Sequence, residues 1–487
     1  MRSYRLKIVM FIVICQSVAF ARAESDPLQP GIKLLTDHNC KAAILEFTKV
    51  IGKQPRLADA YAYRGMAQDD CKHYAQALSD AALALKLDAK SIEGLMARAR
   101  AYAATGKFDE AIADFTQVIT LDPKRVNAYI WRGGVYQQQK QYQKALDDYD
   151  AAFKIDPTQE YGYYYNQANV AFAQNQFDLA ISDYGKSIDL DAKLPDAYLG
   201  RAAVYVARGD KDKALADYSS AIAAAPNDAE GYIERGSFYD QQQEFDKALA
   251  DFNHVLAIDP QNPDALDGRG LAYYSQKKLN LALADINRAI ALNPYEPLFY
   301  NHRAVIYHDL KSYQLAIADY EHAFKLDSGD TFSYYFNIGS IHIDMNLFQQ
   351  ALDELNKAVQ ADPNYYDVYI ERTLAYVGLD DQLHALNDIN RAIAIDPKNA
   401  RGYFERGNLN LGGEDQKAID DYNIAISLDP NDPDFYVNRG NAYANLQQYD
   451  KAIADYSYAL KLNPNDAEAA YDKSYIQSCA PTGYCQP

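Results

Sequence analysis

Between Pro433 and Pro464 the chain reads PDFYVNRGNAYANLQQYDKAIADYSYALKLNP, and its apolar and small residues fall twice on one helical face. Tyr436, Gly440 and Tyr443 are spaced by four and three. After a polar turn, Ala452, Tyr456 and Ala459 repeat that spacing. Asn463-Pro464 ends the second run, because proline has no N–H for the preceding turn. The Asn or Asp that follows such a proline caps the helix opening the next stretch. The pattern predicts two short amphipathic helices joined by a turn. Small residues such as Gly440 and Ala452 let the paired helices approach closely.

The same pattern stands at Pro263, as PDALDGRGLAYYSQKKLNLALADINRAIALNP. Its terminal proline recurs at Pro55, Pro123, Pro157, Pro226, Pro260, Pro294, Pro363, Pro397, Pro430 and Pro464, with Ala89, Ala192 and Ser328 filling the gaps. Nine of the resulting intervals are 34 residues, two are 35 and one is 33. A fixed period of this length marks a stacked array, in which each unit buries its apolar face only against its neighbours.

Tyr129, Gly133, Tyr136, Ala145, Tyr149, Ala152 and Pro157 carry the repeat in one unit, and Tyr232, Gly236, Tyr239, Ala248, Phe252 and Pro260 carry it in another. In these residues the chain resembles the tetratricopeptide repeat family from about Pro27 to Pro464. The resemblance implies an all-α fold, an α-solenoid of about thirteen helix-turn-helix repeats wound into a right-handed superhelix. The expected layout is a signal peptide at 1–23, the array at 24–464, a capping helix at 465–477 and a tail at 478–487. Only Gly31, Ala43, Phe47 and Pro55 keep the register in the first unit, as befits a terminal cap.

One departure from the family pattern is informative. Where the family prefers leucine before the glycine, this chain has Arg64, Arg132, Arg201, Arg235, Arg269, Arg303, Arg372, Arg406 and Arg439. The second helices carry Asp80, Asp148, Asp217, Asp251, Asp285, Asp319, Asp388, Asp421 and Asp455 at one matching place. A guanidinium pairs in plane with a carboxylate, so the spacing predicts an Arg–Asp ladder between packed helices. Ile338 interrupts the row, although Glu354 still holds the acid position.

The resemblance also implies where a partner would bind. First helices of the family line a concave groove, and the positions facing it here are Ile130, Tyr165, Phe172, Leu199, Val206, Ile233, Tyr274, Phe336, Ile343, Ile370, Leu374 and Phe404. An exposed apolar row on an acidic protein is expected to be a contact site. Arg100 and Arg401 are the basic residues on that face. They lie far apart, and Asn408 and Asn441 lack basic partners, which argues against a clamp for a terminal carboxylate. The 42 tyrosines, beside a single Trp, fall mostly at core positions, where a buried ring carries its hydroxyl to the rim.

Charge and chemistry narrow the function. The net charge of -19 disfavours nucleic acid and anionic lipid as partners. Arg2, Arg5 and Lys7, the apolar stretch Ile8 to Phe20 and the small residues of Ala21-Arg22-Ala23 form a signal-peptide pattern, too short to span a bilayer. After cleavage no integral membrane segment is expected, and the protein is read as exported, periplasmic or secreted. Cys40, Cys71, Cys479 and Cys485 remain as disulfide candidates. Cys40 with Cys71 and Cys479 with Cys485 are the pairings favoured among the three connectivities that four cysteines allow.

No nucleophile elbow, phosphate loop, Cys-x-x-Cys or His-Glu-x-x-His sequence occurs. His302, His308, His322 and His342 are scattered. No enzyme activity, metal or cofactor is expected. The reading is a scaffold or adaptor that binds other proteins or peptides in its groove. The alternative is a fixed subunit of a cell-envelope complex, serving peptidoglycan enzymes or outer-membrane assembly. Oligomeric state is left open.

Overall fold

A computed structural model describes residues 26–37 and 39–479. The expected signal segment and the Cys479–Cys485 pairing lie outside the described residues. Among the described residues there are 27 α-helices, one 3-10 turn at Pro157–Gln159 and no strand. The chain divides into two units, the first ending at Ile258 and the second beginning at Asp259. The first unit stacks seven helical hairpins, from Gln29–Thr36 with Cys40–Lys53 to Ala229–Gln241 with Phe245–Ile258. The second stacks six, from Pro263–Ser275 with Leu279–Leu292 to Pro433–Asn445 with Tyr449–Leu462, followed by a lone helix Ala467–Cys479.

The first and second helices of a hairpin are called A and B below. Twelve of the A-to-B turns hold one residue with positive φ, and only Gly106, Gly209 and Gly412 among these are glycine. At Lys311, φ is 56°; the next amide, of Ser312, donates to Tyr307 at 2.8 Å and satisfies a carbonyl of the helix end. The Asp or Asn before each terminal proline takes the amide two residues on, as Asp122 does from Lys124 at 3.1 Å, and turns the chain into the next hairpin. A separate cap then starts the A helix: Asn262 accepts from the Ala265 amide at 2.9 Å.

Glycine in an A helix is a packing requirement. A β-carbon on Gly440 would lie 2.8 Å from the Tyr456 ring, and one on Gly200 would lie 2.5 Å from Tyr184. The two 35-residue intervals place their extra residue in the A helix, which is 14 residues long in Glu160–Ala173 and in Thr331–Asp344. The 33-residue interval has an A helix of only 11 residues, Ala400–Asn410.

B-helix aromatic rings form the centre of each layer. Tyr184, Tyr422, Tyr456, Phe47, Phe115 and Phe252 are almost wholly enclosed. Tyrosines on the A helices behave differently: they are half-buried or buried near the rim, and their hydroxyls donate to the carbonyl of the proline that ends the preceding hairpin. Tyr129 reaches Pro123 at 3.2 Å, Tyr369 reaches Pro363 at 3.0 Å, and Tyr436 reaches Pro430 at 3.0 Å. Such bonds lock successive hairpins in register. Cys40, the first residue of its B helix, is bonded to Cys71 at the end of the next A helix, with Cα atoms 5.7 Å apart. That bond ties the short first hairpin to the second.

Candidate functional site: the two faces of the hairpins

Each hairpin presents two kinds of surface, and the arginines belong to one of them. All nine predicted Arg–Asp pairs form, each with Nε and Nη2 donating to the two carboxylate oxygens. Arg201 and Asp217 meet at 2.7 and 2.8 Å, and Arg269 and Asp285 at 2.7 and 2.9 Å. A tenth pair, Arg98 with Asp114 at 2.7 Å for both bonds, escaped the sequence reading. Its signal was present, since Arg98 stands 34 residues from both Arg64 and Arg132.

The third nitrogen often reaches the B helix of the preceding hairpin. Arg132 donates to Thr116 at 2.9 Å, Arg303 to Asn287 at 2.6 Å, and Arg439 to Asn423 at 2.6 Å. Tyrosine rings flank the guanidinium, as Tyr129 and Tyr136 do for Arg132 at 5.8 and 5.9 Å. Hydrogen bonds to the carboxylates hold these arginines above their ordinary pKa. The row is fully committed to structure and leaves no anion site in those pairs. Ile338 is buried in the core, and Glu354 takes Lys357 at 3.1 Å instead.

The second surface is made of A helices alone. Here the structure joins polar residues one repeat apart. In the second unit His302 Nδ1 lies 2.8 Å from Asp267, Tyr274 donates to Asp309 at 2.7 Å, and His308 Nε2 lies 2.7 Å from Asp344. Asn438 donates to Asn408 at 2.8 Å. In the first unit Arg100 bridges Asp69 and Asp70 and stacks on Trp131 at 4.8 Å, while Arg125 holds Glu93 at 2.7 Å. Core tyrosines reach this face: Tyr422 donates to Asn408 at 2.8 Å and Tyr456 to Asn441 at 2.7 Å. The sequence reading had dismissed these histidines and asparagines. Complementary residues 30 to 36 positions apart were the clue to them.

The predicted groove residues occupy this A-helix face unevenly. Ile130, Tyr165 and Ile370 are buried, Ile370 completely. The reading of these three as open contact residues is corrected: their side chains fill the space against neighbouring helices, as adjacent A helices close over them. The other nine are half-buried. Phe336, Ile343 and Ile370 meet in one cluster, with Phe336 and Tyr365 ring centres 5.7 Å apart. Tyr165 joins Phe172, and Leu199 joins Val206. Phe404 packs on Phe435 at 4.9 Å, while Ile233, Tyr274 and Leu374 keep part of their surface.

Two carboxylates near this face are perturbed. Burial, and then Asp228, push Asp196 up to about 6. Burial also raises Glu371, with Arg401 opposing the shift and Asp344 and Asp367 adding to it. Burial lowers His342, whose Nδ1 has no hydrogen-bond partner.

A void of about 20 Å³ beside Ile130, Tyr149 and Asn166 has room for a single water. An open depression of about 330 Å³ lies at Asn175, Phe177 and Arg208. Among the described residues, no group of three or more His, Cys, Asp or Glu could hold a metal ion, and no helix is long and apolar enough to cross a membrane.

Family models described as tetratricopeptide repeat match residues 96–160, 165–229, 201–267, 268–331, 332–365 and 433–466, and one described as TPR repeat matches 409–447. Together they cover more than half of the chain. No curated protein sequence matches it. Among solved structures, a chain of the APC/C hetero-tetramer Cut9-Hcn1 is similar at 15% identity and a TM-score of 0.48, over 92% of this chain and 95% of that one. A tetratricopeptide repeat protein from Parabacteroides merdae is similar at 21% identity and a TM-score of 0.42, over 51% and 98%. YrrB, a TPR protein with an unusual peptide-binding site, is similar at 23% identity and a TM-score of 0.31, over 39% and 97%.

Proposed function

The chain belongs to the tetratricopeptide repeat family, and from that premise we propose that it is a non-catalytic scaffold whose A-helix face holds protein or peptide partners. One observation carries the reading. The Arg–Asp ladder uses its charges to bind helix to helix, whereas the A-helix face keeps Tyr274, Leu374 and Ile233 part-exposed among polar groups that point toward the next repeat. A surface mixing half-buried apolar side chains with oriented amides, carboxylates and imidazoles suits a protein partner.

The setting we propose is exported, periplasmic or secreted. The Cys40–Cys71 pairing and the basic, apolar, small-residue order of residues 1–23 support it.

Capture from the source cell tests the binding reading. Tyr274→Ala with Leu374→Ala should lose the partners retained by the unaltered protein while the helical signal by circular dichroism stays the same. Partners retained in full by the folded double variant would overturn it.

A further inference from the structure

Four successive A helices of the second unit bring charged residues to one place, and the groups there are not all satisfied. Asp344 is held by His308 at 2.7 Å, Asp367 by the hydroxyl of Tyr365, and Glu405 faces Arg401 at 3.9 Å. Glu371 is different. It sits between Asp344, Asp367 and Arg401, half-buried, and its carboxylate has no hydrogen-bond or ion-pair partner among the described residues.

Beside the same Arg401 and Asp367, the Tyr366 hydroxyl is fully shielded from solvent and also lacks a hydrogen-bond partner. A β-carbon on Gly402 would come within 3.0 Å of that oxygen. Buried polar groups in folded proteins are nearly all paired, so two unpaired ones beside shared neighbours mark an unfilled position. An ammonium or guanidinium is the group that suits it, because it donates several hydrogen bonds and neutralises surplus carboxylate charge.

We propose that the second unit seats a lysine or arginine side chain of its protein partner against Glu371, with Leu374 one turn along the helix taking an apolar neighbour of that residue. The net charge of -19 favours the approach of a cationic segment over an acidic one. This inference rests on the binding reading above and adds the chemistry of the partner.

The test uses the full chain and a fluorescent, end-capped dodecapeptide alternating lysine and leucine, with an alternating glutamate and leucine peptide beside it. Anisotropy at about 50 mM and about 300 mM salt separates screened from short-range binding. The lysine peptide should bind and the glutamate peptide should not. Glu371→Gln, which preserves shape, should weaken the lysine peptide by about tenfold or more, a change of about 1.4 kcal/mol. Asp344→Asn, whose carboxylate is already held by His308, should weaken it less. Asp420→Asn removes an equal charge from an exposed B-helix position and should leave affinity unchanged.

Equal affinity of Glu371→Gln and the unaltered protein, equal weakening by Asp420→Asn, or no binding of the lysine peptide would each overturn the proposal. Native partners that crosslink at Leu374 despite such a result would leave the scaffold reading standing. A lack of crosslinks at Leu374 removes the reading itself.

Discussion

Arg372 grips Asp388 with two nitrogens at once, Nε and Nη2 each donating at 2.6 Å, while Nη1 donates at 2.8 Å to Asn356 of the preceding hairpin. One side chain thus joins three helices. The pair is mostly enclosed, at 15% and 9% side-chain exposure, so its partners are not interchangeable with water. Replacing Arg372 with Leu leaves a buried carboxylate uncompensated and should cost about 3–5 kcal/mol locally. Arg372→Leu with Asp388→Leu should recover most of that loss. Because each hairpin touches only its neighbours, hydrogen exchange should quicken around residues 348–395 and little elsewhere.

The disulfide acts on the weakest hairpin. The first A helix has only eight residues, and Cys40–Cys71 closes a loop over a sequence separation of 31. Cys40→Ser should lower the stability of that hairpin by about 3–4 kcal/mol. Exchange protection in Cys40–Lys53 should fall, with the second unit unaffected.

Asp196 supplies a pH signature. Its pKa is raised to about 6 in the fold, above an unfolded value of about 3.9. The folded state therefore holds this proton more tightly than the unfolded chain does. The contribution is fully present below about pH 4 and is lost as pH rises through about 6. At pH 7 the buried charge is a penalty, and Asp196→Asn should raise the melting temperature there while changing it little near pH 4. The penalty is about 2–3 kcal/mol.

Two glycine substitutions should move in opposite directions. Gly200→Ala drives a methyl into Tyr184 and should destabilise by about 1–3 kcal/mol. Gly162→Ala meets nothing within 4 Å inside a helix and should stabilise by about 0.5–1 kcal/mol. Thermal melts of both variants decide it.

Most of the fold was legible because it repeats. A proline, an aromatic and an alanine at fixed offsets leave only one arrangement of short amphipathic helices, and the Arg–Asp spacing of 16 residues recurs often enough to predict the bond. Arg98 was overlooked although it keeps that spacing, which is a failure of alignment and not of physics. The A-helix face was harder. Whether Ile370 or Leu374 reaches solvent depends on how closely the next A helix approaches, and helical periodicity is silent on that distance. Pairs such as His308 with Asp344 join residues of different repeats, so a pattern read within one repeat cannot show them.

The central claim is that partners bind on the A helices. Photocrosslinking residues placed singly at Leu374, and at Leu383 on an exposed B-helix position, test it in the source cell. The account predicts protein adducts from Leu374 that disappear when Tyr274 is replaced by Ala, and few from Leu383. Adducts from Leu383 alone, or none from Leu374 in a folded protein, would contradict it.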